Sequence, residues 1–95
     1  MNIEWKEIVA GYTVSSDGQV CSRRRGEPKI MKPAASTSGY LRVKIFSNNI
    51  PRLRPVHCLV AECFMGARPT ERHQINHIDG DKTNNRVANL EWVTP

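Results

Sequence analysis

The sequence predicts a small α+β fold, on three observations. Leu41, Val43 and Ile45 alternate with Arg42 and Lys44, the two-residue period of a half-buried strand. Val56, Leu59, Val60, Cys63 and Phe64 then fall at i, i+3, i+4, i+7 and i+8, a helical period stopped at Gly66. Asp-Gly steps at 17–18 and 79–80 punctuate short β-favouring runs, which is the signature of tight turns in antiparallel hairpins. Together these give a small antiparallel β-sheet with one short helix, followed by a further hairpin.

In chain order, Tyr12–Ser15 and Gln19–Ser22 read as strands around a Ser16-Asp17-Gly18 turn. Residues 23–38 are rich in Arg, Lys, Pro, Ser and Thr and read as loop, with a short strand near Lys29–Lys32. Residues 40–46 form the clearest strand, and Ser47-Asn48-Asn49 supplies a turn into Ile50–Val56. Pro51 and Pro55 cannot donate to a ladder, so this strand belongs at an edge. The hairpins over 12–56 are expected to make one sheet, covered by a helix near 57–65. Residues 73–78 read as a strand, 79–81 as a turn, 82–89 as a polar loop and 90–94 as a second strand.

A chain of 95 residues fits one domain and leaves little room for a deeply buried active site. Its apolar runs fall far short of the ~20 residues that span a bilayer, and its N-terminus lacks the basic start and apolar stretch of a secretory signal. A cytoplasmic location is expected. Cys21, Cys58 and Cys63 are odd in number and include no C-x-x-C pair, which suits reduced structural thiols. The net charge of +5 is unevenly spread. Residues 23–54 hold nine basic side chains against Glu27 alone, whereas 1–22 and 55–95 are slightly acidic. A concentrated positive segment is the electrostatic footprint of a phosphate-backbone binder; alternatively it is a solvated basic face with no partner. Arg42, Lys44, Arg52 and Arg54 are expected on one side of adjacent strands, with Arg23, Arg24 and Arg25 extending the duplex-DNA footprint.

His77 stands in Asn76-His77-Ile78-Asp79-Gly80-Asp81-Lys82-Thr83-Asn84-Asn85, with Asn89-Leu90-Glu91-Trp92-Val93-Thr94 at a fixed offset. This stretch resembles the HNH, or ββα-metal (His-Me finger), endonuclease family, in the form found in phage and intron-encoded homing endonucleases. Trp5, Ile8, Gly11-Tyr12 and Val14–Val20 are similar to the modular N-terminal segment that often precedes the nuclease there. Gly39–Val43 and Val56–Phe64 match the family's strand and connecting helix, although Cys58 stands where a basic residue is common. The resemblance implies a basic β-sheet DNA-binding segment over 1–56, and a connecting helix with an incomplete nuclease hairpin over 57–95, forming one compact unit. It also implies a phage-encoded enzyme acting inside the host cell.

By resemblance, His77 is the general base of a DNA phosphodiester hydrolase. Asn76 is a metal ligand offering a neutral carbonyl oxygen to one weakly held Mg²⁺ or Mn²⁺ ion. Asn89 fixes the intervening loop and through it the histidine. The chemistry suits these residue types: hydrolysis needs a base to activate water and a cation to neutralise charge developing on the phosphate. Asp79 and Asp81 resemble the start of a calcium loop, but Asn84 occupies the sixth position where glycine is required. His57 reads as a structural polar anchor, and Trp5 and Trp92 as core aromatics. The family's next motif residue lies on a helix after the second strand, and the sequence reaches Pro95 before it. A fragment, a natural truncation, and completion by a second copy or partner chain are the alternatives. Trp92 or Val93 is then expected to be unusually exposed, or covered by another copy. Two functions stay open, an active endonuclease and an inactive DNA-binding module descended from one.

Overall fold

The computed structural model describes residues 2–95; Met1, the first residue of the segment expected over 1–56, lies outside them. Strands β1 (Trp5–Val9), β2 (Tyr12–Ser15), β3 (Val20–Ser22) and β4 (Lys29–Ile30) form an antiparallel sheet in that order. A second antiparallel sheet is built from β5 (Ala34–Ala35), β6 (Leu41–Ser47) and β7 (Ile50–Pro55), with β7 at its edge. Helix α1 (Val56–Phe64) follows directly, and β8 (Gln74–His77) pairs with β9 (Leu90–Val93) as a separate hairpin. The α+β class and the antiparallel pairing agree with the reading of the sequence.

Two details differ. Residues 5–55 divide into two sheets instead of one, because the chain passes through Pro33 between β4 and β5 and proline cannot donate to a continuing ladder. The second is two strands outside that reading: β5 falls in the stretch read as loop, and β1 lies at its sheet's edge, so Trp5 remains 43% exposed and is no core aromatic.

One apolar cluster holds these parts together. Tyr12, Val14 and Val20 come from the first sheet, Val43 and Ile45 from the second, Val56, Leu59 and Val60 from α1, and Leu90 from the last hairpin. The apolar stripe that predicted α1 is the face it buries: Leu59 and Val60 are fully enclosed, each burial worth roughly 1.5–3 kcal/mol. The Tyr12 hydroxyl accepts the Phe46 backbone N–H at 3.1 Å, bridging the two sheets. Pro55 caps the start of α1 in an extended conformation, and Gly66 follows its end with φ +74°, a left-handed geometry that glycine adopts without strain.

Candidate active site

His77 closes β8, opposite Leu90 of β9, and is 6% exposed. Its Nε2 lies 2.8 Å from Oδ1 of Asn85, which is itself buried. An amide oxygen only accepts, so Nε2 carries the proton and the Nδ1 lone pair is left as the ring's basic atom. Tyr40 and His57 complete the surroundings, with ring centroids 5.8 and 5.2 Å from that of His77.

Asn89 acts on the loop, not on the imidazole. Its Oδ1 accepts the Asp79 N–H at 3.1 Å, while its Nδ2 donates to Asp79 Oδ1 and to the Asn84 carbonyl, both at 2.9 Å. Asp79 also accepts from Asn84 Nδ2 and from the Asp81 N–H, each at 2.8 Å. These donors, led by the Asn84 amide and followed by the Asp81 and Asn89 contacts, hold the Asp79 carboxyl below its ordinary value. Asp81 is lowered likewise by the Thr83 hydroxyl and N–H. The two aspartates thus knot the loop that delivers Asn85 to His77.

Asn85 is the residue that sequence reading missed. A second contact it could not supply is long-range: a Cβ on Gly18 would stand 2.9 Å from the Asn85 backbone, so the turn between β2 and β3 presses directly on the loop. The Ser16 carbonyl also accepts the Val87 N–H at 2.8 Å.

Asn76 and His77 are neighbours in β8, and strand alternation separates them. Asn76 is exposed and its Nδ2 donates to Glu91 Oε2 at 2.8 Å across the hairpin; no hydrogen bond joins it to His77. That bond turns the Asn76 amide nitrogen toward the Glu91 carboxylate and leaves the amide oxygen, a hard neutral donor of the kind Mg²⁺ or Mn²⁺ takes, without a partner of its own among the described residues. Among the described residues no group of three His, Cys, Asp or Glu side chains is placed to hold a metal ion. Trp92, across from Ile75, is half-buried: its Nε1 donates to the Met65 carbonyl and the Arg68 guanidinium lies 5.9 Å from its ring. Val93 is half-buried too, so the unusual exposure expected of these two residues is not found.

The basic side chains do not share one face. Asn48 and Asn49 have φ of 52° and 64°, a two-residue turn that pairs Ser47 with Ile50. Arg52 then lies opposite Ile45 and Arg54 opposite Val43, while Arg42 and Lys44 face Pro55 and Leu53. Directly paired residues project to the same side, so Arg42 and Lys44 occupy one face of the sheet and Arg52 and Arg54 the other. The expected single face assumed a three-residue turn; one residue fewer reverses the parity. Arg54 is further committed to Glu62 through two contacts of 2.8 and 2.9 Å. Arg42 and Lys44 instead line a groove between the two sheets with Arg24, Arg25, Lys29 and Lys32, in which Glu27 is the one acid. Arg24 packs over Phe46 at 4.1 Å, and Arg23 is exposed on the adjoining turn.

Residues 54–95 match the HNH endonuclease family model and residues 4–46 match the NUMOD4 motif. The DNA endonuclease I-HmuI of Bacillus phage SP01 is 37% identical over 95 residues, which cover 97% of this chain and 53% of that one. An uncharacterized HNH endonuclease, L245 of Acanthamoeba polyphaga mimivirus, is 40% identical over 88% of this chain and 24% of its own length. A solved structure described as DNA binding and cleavage by the HNH homing endonuclease I-HmuI superposes with a TM-score of 0.83 at 38% identity, covering 96% of this chain and 52% of that one. The chain therefore spans about half or less of the length of these relatives. By sequence and by fold, residues 54–95 are an HNH endonuclease segment, joined to a NUMOD4 segment over residues 4–46.

Proposed function

We propose that this chain binds duplex DNA and hydrolyses its phosphodiester bonds, with His77 as general base and one divalent ion. The observation that carries the reading is the His77–Asn85 contact, which commits Nε2 as donor and leaves Nδ1 to take a proton from the attacking water. Asn89 contributes by tying the 79–84 loop, and so holds Asn85 in register with the imidazole. Asn76 Oδ1 would hold the ion, at the exposed end of β8 next to the buried His77, with substrate phosphate reaching both. Bound there, a divalent cation supplies charge neutralisation at the phosphate and the departing oxygen. One neutral protein oxygen is little for a hard cation, which supports weak binding that substrate phosphate completes. The groove carrying Arg24, Arg25, Arg42 and Lys44 supports contact with the DNA backbone. The three free cysteines support a place inside the cell.

The direct test is nicking of supercoiled plasmid by the chain in Mg²⁺ or Mn²⁺, against an EDTA control. Cleavage that EDTA abolishes is the expected result. DNA binding without cleavage in either metal would instead favour the binding-module reading.

A further inference from the structure

A second groove, which reaches the Tyr40 and His57 rings beside His77, holds one side chain the mechanism above does not use, His57, next to Arg42 of the basic surface. Arg42 and His57 both line it, together with Tyr40, Arg68 and His73 and one acid, Glu71. Arg42 Nε and His57 Nδ1 are shut off from water and have no hydrogen-bond partner. A buried polar atom left without a partner is costly, so two such atoms in one groove require an explanation. His57 also touches the machinery already described, its ring packing 4.9 Å from Tyr40 and 5.2 Å from His77, edge to face.

We propose that Arg42 and His57 seat one backbone phosphate of a nucleic-acid strand beside His77. The proposal rests on the DNA reading above and extends it to a named subsite. The chemistry follows from the donors. Guanidinium Nε–H can only donate, so what completes it must be an acceptor. Phosphate offers several acceptor oxygens and can serve Arg42 and a protonated Nδ1 of neutral His57 together, once both side chains turn toward it. Arg68 adds positive charge along the same wall. Burial, with a smaller contribution from His77, lowers the His57 pKa to about 4. At neutral pH His57 therefore meets the phosphate as a neutral donor, and Arg42 alone of the two supplies charge. The strand would thus run from the inter-sheet groove, which Arg42 also lines, past His57 to the base.

The test uses the chain with ring-¹⁵N-labelled histidine, titrated with a short DNA duplex while binding is followed in parallel by fluorescence anisotropy. The His57 Nδ1 signal is expected to shift in step with binding. Arg42→Gln should lower the slope of log K against log salt by about 0.9, whereas His57→Ala should weaken binding about threefold to tenfold with the slope unchanged. Inorganic phosphate, titrated separately, should move the signal only at far higher concentration. Duplex binding with the His57 signal unmoved overturns the seat and leaves the nuclease reading standing. Saturation by inorganic phosphate at the same concentration as duplex would reassign the groove to a free anion. Absence of duplex binding by the unaltered chain would remove the DNA reading and the seat with it.

Discussion

An imidazole has two ring nitrogens, and the bond made by one decides what the other can do. In this chain Asn85 makes that choice for His77. Asn85→Ala removes the acceptor at Nε2 and is expected to cut metal-dependent cleavage about 10–100-fold while leaving duplex affinity nearly unchanged, as paired rate and anisotropy measurements would show; Asn85→Asp, which keeps an acceptor, should recover part of the loss. His57 sets a second expectation, on pH. Its pKa is depressed to about 4 from an ordinary 6.5, so between those values the unfolded chain binds a proton that the folded chain refuses. Stability from this group is complete above pH 6.5 and declines as pH falls toward 4. Urea midpoints for the wild type and His57→Gln at pH 7 and pH 5 should show a smaller acid loss in the variant. An equal loss in both would assign the pH dependence to other groups.

At the scale of elements, strands and helix were legible because their periods are written in the apolar residues: Leu41, Val43 and Ile45 for β6, and Val56, Leu59 and Val60 for α1. What the periods omit is how elements meet. Gly18 marked a turn in the sequence, yet its larger consequence is the room it leaves for Asn85, far away in the chain. Gly18→Ala combines a φ of +90° with a Cβ that would stand 2.9 Å from backbone atoms. It should destabilise the fold by about 1–3 kcal/mol and shift the His77 ring resonances; thermal melts and histidine NMR would check the two effects separately. Asn85 was illegible for the same reason. It is one asparagine in a polar loop, and only tertiary placement distinguishes it from Asn84, which bonds Asp79 instead.

Charge and core organise the whole molecule. A single apolar cluster draws on both sheets, the helix and the last hairpin, so the basic surface and the histidine are carried on one framework. The concentration of positive charge in 23–54 was plain from the sequence, but its division between two faces depended on a turn of two residues where three were assumed. That division is testable. Replacing Arg42 and Lys44 together by Gln should lower the salt slope of duplex binding by about 1.8, at about 0.9 per lost phosphate contact. Replacing Arg52 and Arg54 should change it little, since those side chains lie on the opposite face and Arg54 is held by Glu62. The reverse order would place DNA on the other side of the sheet. Residue, element and core converge on His77, which we propose as the base of a phosphodiester cleavage. The most direct measurement is plasmid nicking in Mg²⁺ or Mn²⁺ by the wild type and His77→Ala, with duplex affinity measured on the same preparations. The expected result is a loss of about 10²–10⁴ in cleavage rate with affinity nearly unchanged; equal cleavage by the two proteins would contradict the account.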